Sequence, residues 1–316
     1  MYLAVQPNLI ERTVFEWARK DETVRSLYER QFSNCYEQRD PTERDRAFAD
    51  LHERWFAEMG LRKLILGVVD EFAHIRSAVS RVMVTQASSP KSQTAELFGS
   101  PEKYTVIISI APSTLLDGSA FEYWARHEFL HIDDMLTPDF GYDVARKPAG
   151  ATPAARNLVQ DRYAVLWALF VDGRLAHRGQ APASVEAKRR AELARAFGIL
   201  TDESTDLAFK ELWRQSETDL PNHRTLLDWA ENGLPQLRHV VTESCDESAP
   251  TPGSACSLCG FPTFDWAIGH KDDQPLHVAI HEDFSSWTAD EPICARCSEI
   301  YQACAAAAAT PAPSQS

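Results

Sequence analysis

Four cysteines in the last quarter of this chain constrain its folding more than any other feature. Cys256 and Cys259 form one CxxC, and Cys294 and Cys297 another, with 34 residues between the pairs. Each CxxC turn aims two thiolates at one point, and two such turns complete a tetrahedron of sulfur around one ion. Zinc is the expected ion. It would be structural, because four thiolates leave no position open for water. A module of about 50 residues closed in this way takes most of its folding energy from the ion. The chain has seven cysteines, an odd number. Cys35, Cys245 and Cys304 read as free thiols, and the pattern fits metal binding in a reducing compartment rather than a disulfide framework.

The rest of the chain has the composition of a globular protein. With 44% hydrophobic and 25% charged residues among 316, wholesale disorder is ruled out. The length is about twice that of a typical domain, which points to a large domain and a smaller one. The longest clean apolar run, residues 163–171, falls far short of the roughly 20 residues that span a bilayer. No basic start followed by an apolar stretch opens the chain, so a cytoplasmic location is expected. A net charge of −14 repels nucleic acid and anionic membranes. Over residues 245–316, Lys271 and Arg296 face ten acidic residues, so the cysteine module is expected to avoid phosphate backbones. Its Phe261, Phe264 and Trp266 read as a miniature core. Lys188, Arg189 and Arg190, interleaved with Glu186 and Glu192, read as a solvated helix face. A peptide or protein is the expected partner, nucleic acid and membrane are not, and the oligomeric state is not legible.

Spacing of apolar residues organises the chain. Helical patterns cover residues 10–32 and 41–59, and strands are expected at 81–87 and Tyr104–Ile110. Two prolines and a glycine between those strands read as a long loop. Helices follow near 120–135, 154–177, 183–198, 204–215 and 222–231. The expected organisation is an α+β, mostly helical domain with a short sheet over residues 1–241. A polar linker at 242–255, the metal module at 256–304 and a disordered tail at 305–316 follow.

The helix near 120–135 carries His127-Glu128-Phe129-Leu130-His131. Two histidines four residues apart lie about 40° apart around a helix, so both imidazoles can grip one metal ion. Glu128 lies about 100° round from His127, beside the metal position, where it can take a proton from water. Phe121, Trp124, Ala125, Ile132 and Met135 fall on an apolar arc, which places the motif at the edge of a buried face.

Residues 104–136 resemble the strand and active-site helix of the zincin metallopeptidases. The resemblance implies a substrate-aligning strand before the helix, a catalytic zinc on His127 and His131, and Glu128 as general base. The third ligand departs from familiar patterns. His131 is followed by IDDMLTPDFGY, which lacks the glycine and histidine of metzincins, and lacks the third histidine that SprT-like proteases place shortly after the motif. Thermolysin-like enzymes take a glutamate from the next helix, and here that helix offers Asp172, at the end of an apolar run with Ala168 and Ala176 on its own face. Asp172 is therefore the expected third ligand, ahead of Asp134, with Asp139, Asp143 and His177 behind. The cysteine module resembles zinc ribbons and rubredoxin-like knuckles. The expectation is a zinc-dependent hydrolase, a metallopeptidase, with one catalytic and one structural zinc. The alternatives are a non-catalytic scaffold of zincin fold and a SprT-like DNA-associated protease.

Overall fold

The structure is a computed structural model that describes residues 1–101, 103–146, 148, 153–197, 202–217, 220–235, 253–267 and 270–308. These residues are mostly helical with one small sheet, the expected α+β class. They form two compact units. The first comprises Met1–Asp143, Phe170–Glu186 and Ser216–His223; the second comprises Val144–Leu169, Ala187–Gln215 and Arg224–Ser316.

In the first unit, β1 (Tyr2–Val5) precedes helices α1 (Pro7–Ala18), α2 (Glu22–Cys35), α3 (Pro41–Glu58), α4 (Leu61–Val69) and α5 (Ala73–Ala78). The single helix expected over 10–32 is two. Asp21 breaks it, and its carboxylate caps α2 by accepting from the amides of Thr23 and Val24. Asp40 caps α3 in the same way, with Pro41 at the first helical position. Then follow β2 (Val79–Gln86), a 3-10 turn at Pro90–Ser92, β3 (Thr94–Phe98), β4 (Tyr104–Ile110), the short α6 (Pro112–Leu115) and α7 (Gly118–Leu136).

The strands lie in the order β1-β2-β4-β3. The first three are parallel, and β3 runs antiparallel to β4. Val82, Val84, Val106, Ile108 and Ile110 share one buried face, as the two-residue period requires. Helix α7 lies against α4, α5, α6 and β3. Two expectations need correction. The stretch read as a long loop contains β3, a short edge strand whose alternation was hidden by its flanking Pro and Gly. Strand β4, expected to align substrate, is paired on both sides, and the two outer edges of the sheet belong to β1 and β3. Gly99 closes the β3–β4 turn at φ +106, where a Cβ would come within 2.4 Å of the Lys103 carbonyl oxygen, so only glycine fits.

The second unit takes most of α8 (Pro153–His177), with α9 (Ser184–Phe197), α10 (Asp202–Gln215) and α11 (His223–Asn232). Within it Arg162 donates to the Ala196 carbonyl oxygen, and Arg190 pairs with Asp206 at 2.5 Å. The cysteine-bearing segment adds a 3-10 turn at His270–Asp272, then α12 (Gln274–Asp283) and α13 (Ala295–Ala308). The tail expected to be disordered from residue 305 instead continues α13 to Ala308. Its run of alanines, the best helix formers, accounts for this. The remainder of the tail and residues 242–252 of the linker lie outside the described residues. Among the described residues, no helix is long and apolar enough to cross a membrane.

Buried between α2 and α3, the Tyr28 hydroxyl and His52 Nε2 share a 3.0 Å hydrogen bond. Burial lowers the His52 pKa below its ordinary value, with Glu11 opposing. Burial, reinforced by Glu11 and Cys35, pushes the Tyr28 hydroxyl up to about 12. An unfolded histidine titrates near pH 6.5, so below that pH the unfolded chain binds a proton that folded His52 refuses. The stability from neutral His52 is thus complete above about pH 6.5 and declines as pH falls toward the lowered folded value. The urea midpoint should drop between about pH 7.5 and pH 5.5, and His52→Gln should flatten that slope. An unchanged slope in the variant would remove His52 as its source.

Candidate metal centres

The cysteine centre is built from two turns. In the first, the Gly260 amide donates to the Cys256 carbonyl oxygen and the Cys256 amide to that of Phe261. Gly260 takes φ +70, which a tight knuckle requires. In the second, Cys294 precedes α13 and Cys297 lies in its first turn. The Cys294 amide donates to Cys256 Sγ at 3.3 Å and the Cys297 amide to Cys294 Sγ at 3.4 Å. The four sulfurs lie within 4.8 Å of one another, with Cys259 and Cys294 at 4.0 Å. Tetrahedral zinc with bonds of about 2.3 Å spaces its sulfurs about 3.8 Å apart, so the set fits a metal ion such as zinc.

The thiols show why an ion belongs there. Burial raises the Cys256 pKa, but amides of Cys259, Cys294 and Leu258 outweigh it and bring the thiol down to about 7. Cys297 is pushed up by burial and by the neighbouring sulfurs of Cys294 and Cys259, and burial also raises Cys294. Four sulfurs cannot all ionise together without a cation between them. The module's core consists of Leu258, Leu276, Ile280, Trp287 and Ile293 with three of the cysteines, and Trp266 packs against it. This corrects the expected aromatic core. Phe261 and Phe264 are 72% and 61% exposed, because α12 supplies the aliphatic filling instead. Cys35 and Cys304 are free thiols, as expected, and Cys245 lies outside the described residues.

The second centre lies on α7. Asp117 caps the helix through the Ala120 amide, and Phe121, Ala125, Phe129 and Ile132 bury its inner face. His127 and His131, one turn apart, meet edge to face with ring centroids 4.8 Å apart. Glu128 sits beside His127 and is half-buried. From α8 the fully buried Asp172 reaches His127, its Oδ1 lying 2.7 Å from Nδ1, while the Tyr123 hydroxyl donates to its Oδ2 at 3.1 Å. A carboxylate only accepts, so Nδ1 of His127 donates to Asp172 and Nε2 is the ring nitrogen left to face a metal.

Asp172, the expected third ligand, lies against Nδ1 of His127. Both its oxygens are engaged by protein donors, and among the described residues the four cysteines form the only set of three or more donors close enough to share an ion. Asp134 is equally committed. It is 3% exposed and takes a two-pronged pair from Arg174 at 2.8 and 2.6 Å. Asp139, Asp143 and His177 are exposed. The sequence reading missed Tyr123, although four residues before His127 is the same helical face, the one signal that points to it. It also missed Asp133, which accepts from the amides of His74 and Ile75 at 3.0 and 3.2 Å and sits 3.1 Å from His74 Nδ1. No family model, curated protein or solved structure matches this chain.

If the cysteines hold an ion, a strong chelator should strip it and melt α12 and α13, since such sites supply about 10–16 kcal/mol of folding energy. Circular dichroism with metal analysis reads both. Cys256→Ser/Cys297→Ser should lose the same metal and the same helical signal, and a folded, metal-free module would contradict the assignment.

Proposed function

We propose that this protein is a zinc-dependent hydrolase of zincin type acting on a peptide or protein, with a second, structural zinc on Cys256, Cys259, Cys294 and Cys297. One observation carries the reading. His127 and His131 share a face of α7, and a fully buried carboxylate holds Nδ1 of His127. Metal-binding histidines are regularly oriented by such a carboxylate. The two imidazoles fit two of the three protein ligands of a catalytic zinc, and no described residue joins them as the third. Zinc bound there would polarise a carbonyl and lower the pKa of water towards about 7. Glu128 accepts the proton of the attacking water and returns it to the leaving amine. Asp172 fixes the tautomer and direction of His127, and Tyr123 fixes Asp172. Strand β3, which α7 contacts, has one edge without a strand partner, and that edge would offer backbone donors and acceptors to an extended peptide.

That no described residue completes the ligand set favours one other reading, a scaffold of the same fold without turnover. The acidic excess of residues 245–316 argues against a DNA-associated protease.

Metal content separates the first two readings. The hydrolase should carry two zinc ions per chain and the His127→Ala/His131→Ala variant one; a wild-type chain with one ion, held by cysteine, leaves the scaffold. Glu128→Gln should keep both ions while peptide hydrolysis falls by about 10²–10⁴. Activity at the wild-type rate would exclude Glu128 as the base. Asp172→Asn should weaken the α7 ion about 10–100-fold and leave the cysteine ion in place, as read by competition with a graded chelator.

A further inference from the structure

Helices α1, α2 and α3 enclose a cleft of about 410 Å³, within the roughly 300–1,000 Å³ of small-molecule sites. Its wall is aromatic. Phe32 and Phe48 lie 4.7 Å apart between ring centroids, Tyr36 meets Phe48 at 5.1 Å, and His52 continues the surface. Tyr36 is 62% exposed, so core packing does not account for it. Glu11 of α1 and Asp45 and Glu53 of α3 also line it. Neither Glu11 nor Asp45 has an ion-pair partner among the described residues, whereas Glu16, Glu22 and Glu53 of the same helices each meet an arginine. No lysine or arginine lines the cleft. His52 adds no positive charge at neutral pH, because burial favours its neutral ring.

We propose that this cleft binds a small quaternary ammonium ion. The ring faces carry negative quadrupole charge that attracts a cation, and the carboxylates of Glu11 and Asp45 add Coulomb attraction. A metal ion or a primary ammonium would forfeit strong hydration against a wall of carbon. A methylated ammonium is cationic at its centre and apolar at its surface, which matches both halves of the lining. An anion would be repelled, and a neutral ligand would gain nothing from the carboxylates. The cleft is separate from the α7 histidines, and the proposal stands without the hydrolase reading.

The test titrates the full-length chain with choline and with its neutral carbon isostere, dimethylbutanol, following ring resonances of Phe32, Tyr36, Phe48 and His52. Choline should give saturable shifts on these rings, with the isostere at least about 10-fold weaker. Tyr36→Ala should weaken choline roughly 3–30-fold while Tyr36→Phe retains it. Glu11→Gln/Asp45→Asn should narrow the gap between the two probes. All of these positions are exposed, and an unchanged circular dichroism spectrum confirms the fold. Equal affinity for the two probes would overturn the proposal and leave an ordinary apolar crevice. Absence of saturation by choline, or shifts confined to residues outside the cleft, would overturn it as well.

Discussion

Helix α7 is fixed by two adjacent carboxylates in its last turn, and the placement of both candidate ligand histidines depends on them. Negative charge near a helix C-terminus opposes the helix dipole, so Asp133 and Asp134 would weaken an isolated α7. Each is offset by a partner from a different element. Arg174 of α8 takes Asp134 with two parallel hydrogen bonds, and the N-terminus of α5 takes Asp133. Two turns earlier on α7, His127 is engaged by Asp172 from the same α8. Two carboxylate contacts therefore join α7 to the end of α8, and they set the rotation of α7 as well as its position. A buried two-pronged pair such as Asp134–Arg174 adds little net stability over apolar packing, but losing one partner costs about 3–5 kcal/mol. Its contribution is geometric.

Periodicity made most of the fold legible. Strand β4 and helices α7 and α8 carry long, regular apolar patterns, and their ends match expectation to within about two residues. Strand β1, with four residues, and β3, with five, are too short to show a period, and their identity comes from pairing with β2 and β4. In the site, His127, Glu128 and His131 could be read directly because their spacing is local. The partners of Asp134 and Asp172 could not. Both lie on buried helical faces, and Arg174, only two residues from Asp172, was equally available to it by sequence. Which carboxylate meets the arginine and which meets the histidine is decided by how α7 and α8 pack, and single-helix spacing does not encode that.

The cysteine module illustrates the opposite case. Its ligands are fully specified by two local turns, and its core is not. Phe261 and Phe264 sit next to the first CxxC and invite assignment to the interior, yet both face water. The interior is taken by side chains from α12 and by Trp287 and Ile293, between the two pairs. A small module can leave such rings outside because sulfur and an ion, rather than apolar area, decide whether it folds.

The cap that Asp133 places on α5 has a consequence for the order of assembly. Helix α5 is six residues long, well below the roughly 12–15 residues at which an isolated helix becomes marginal in water. Its capping carboxylate lies 58 to 59 residues further along the chain. Helix α5 therefore lacks a cap of its own and receives one only from α7. Val79 begins β2 directly after α5, so the same contact also ties down the approach to that central strand. The His74 and Ile75 amides should then gain protection from hydrogen exchange together with the amides of α7, and later than those of the self-capped α2 and α3.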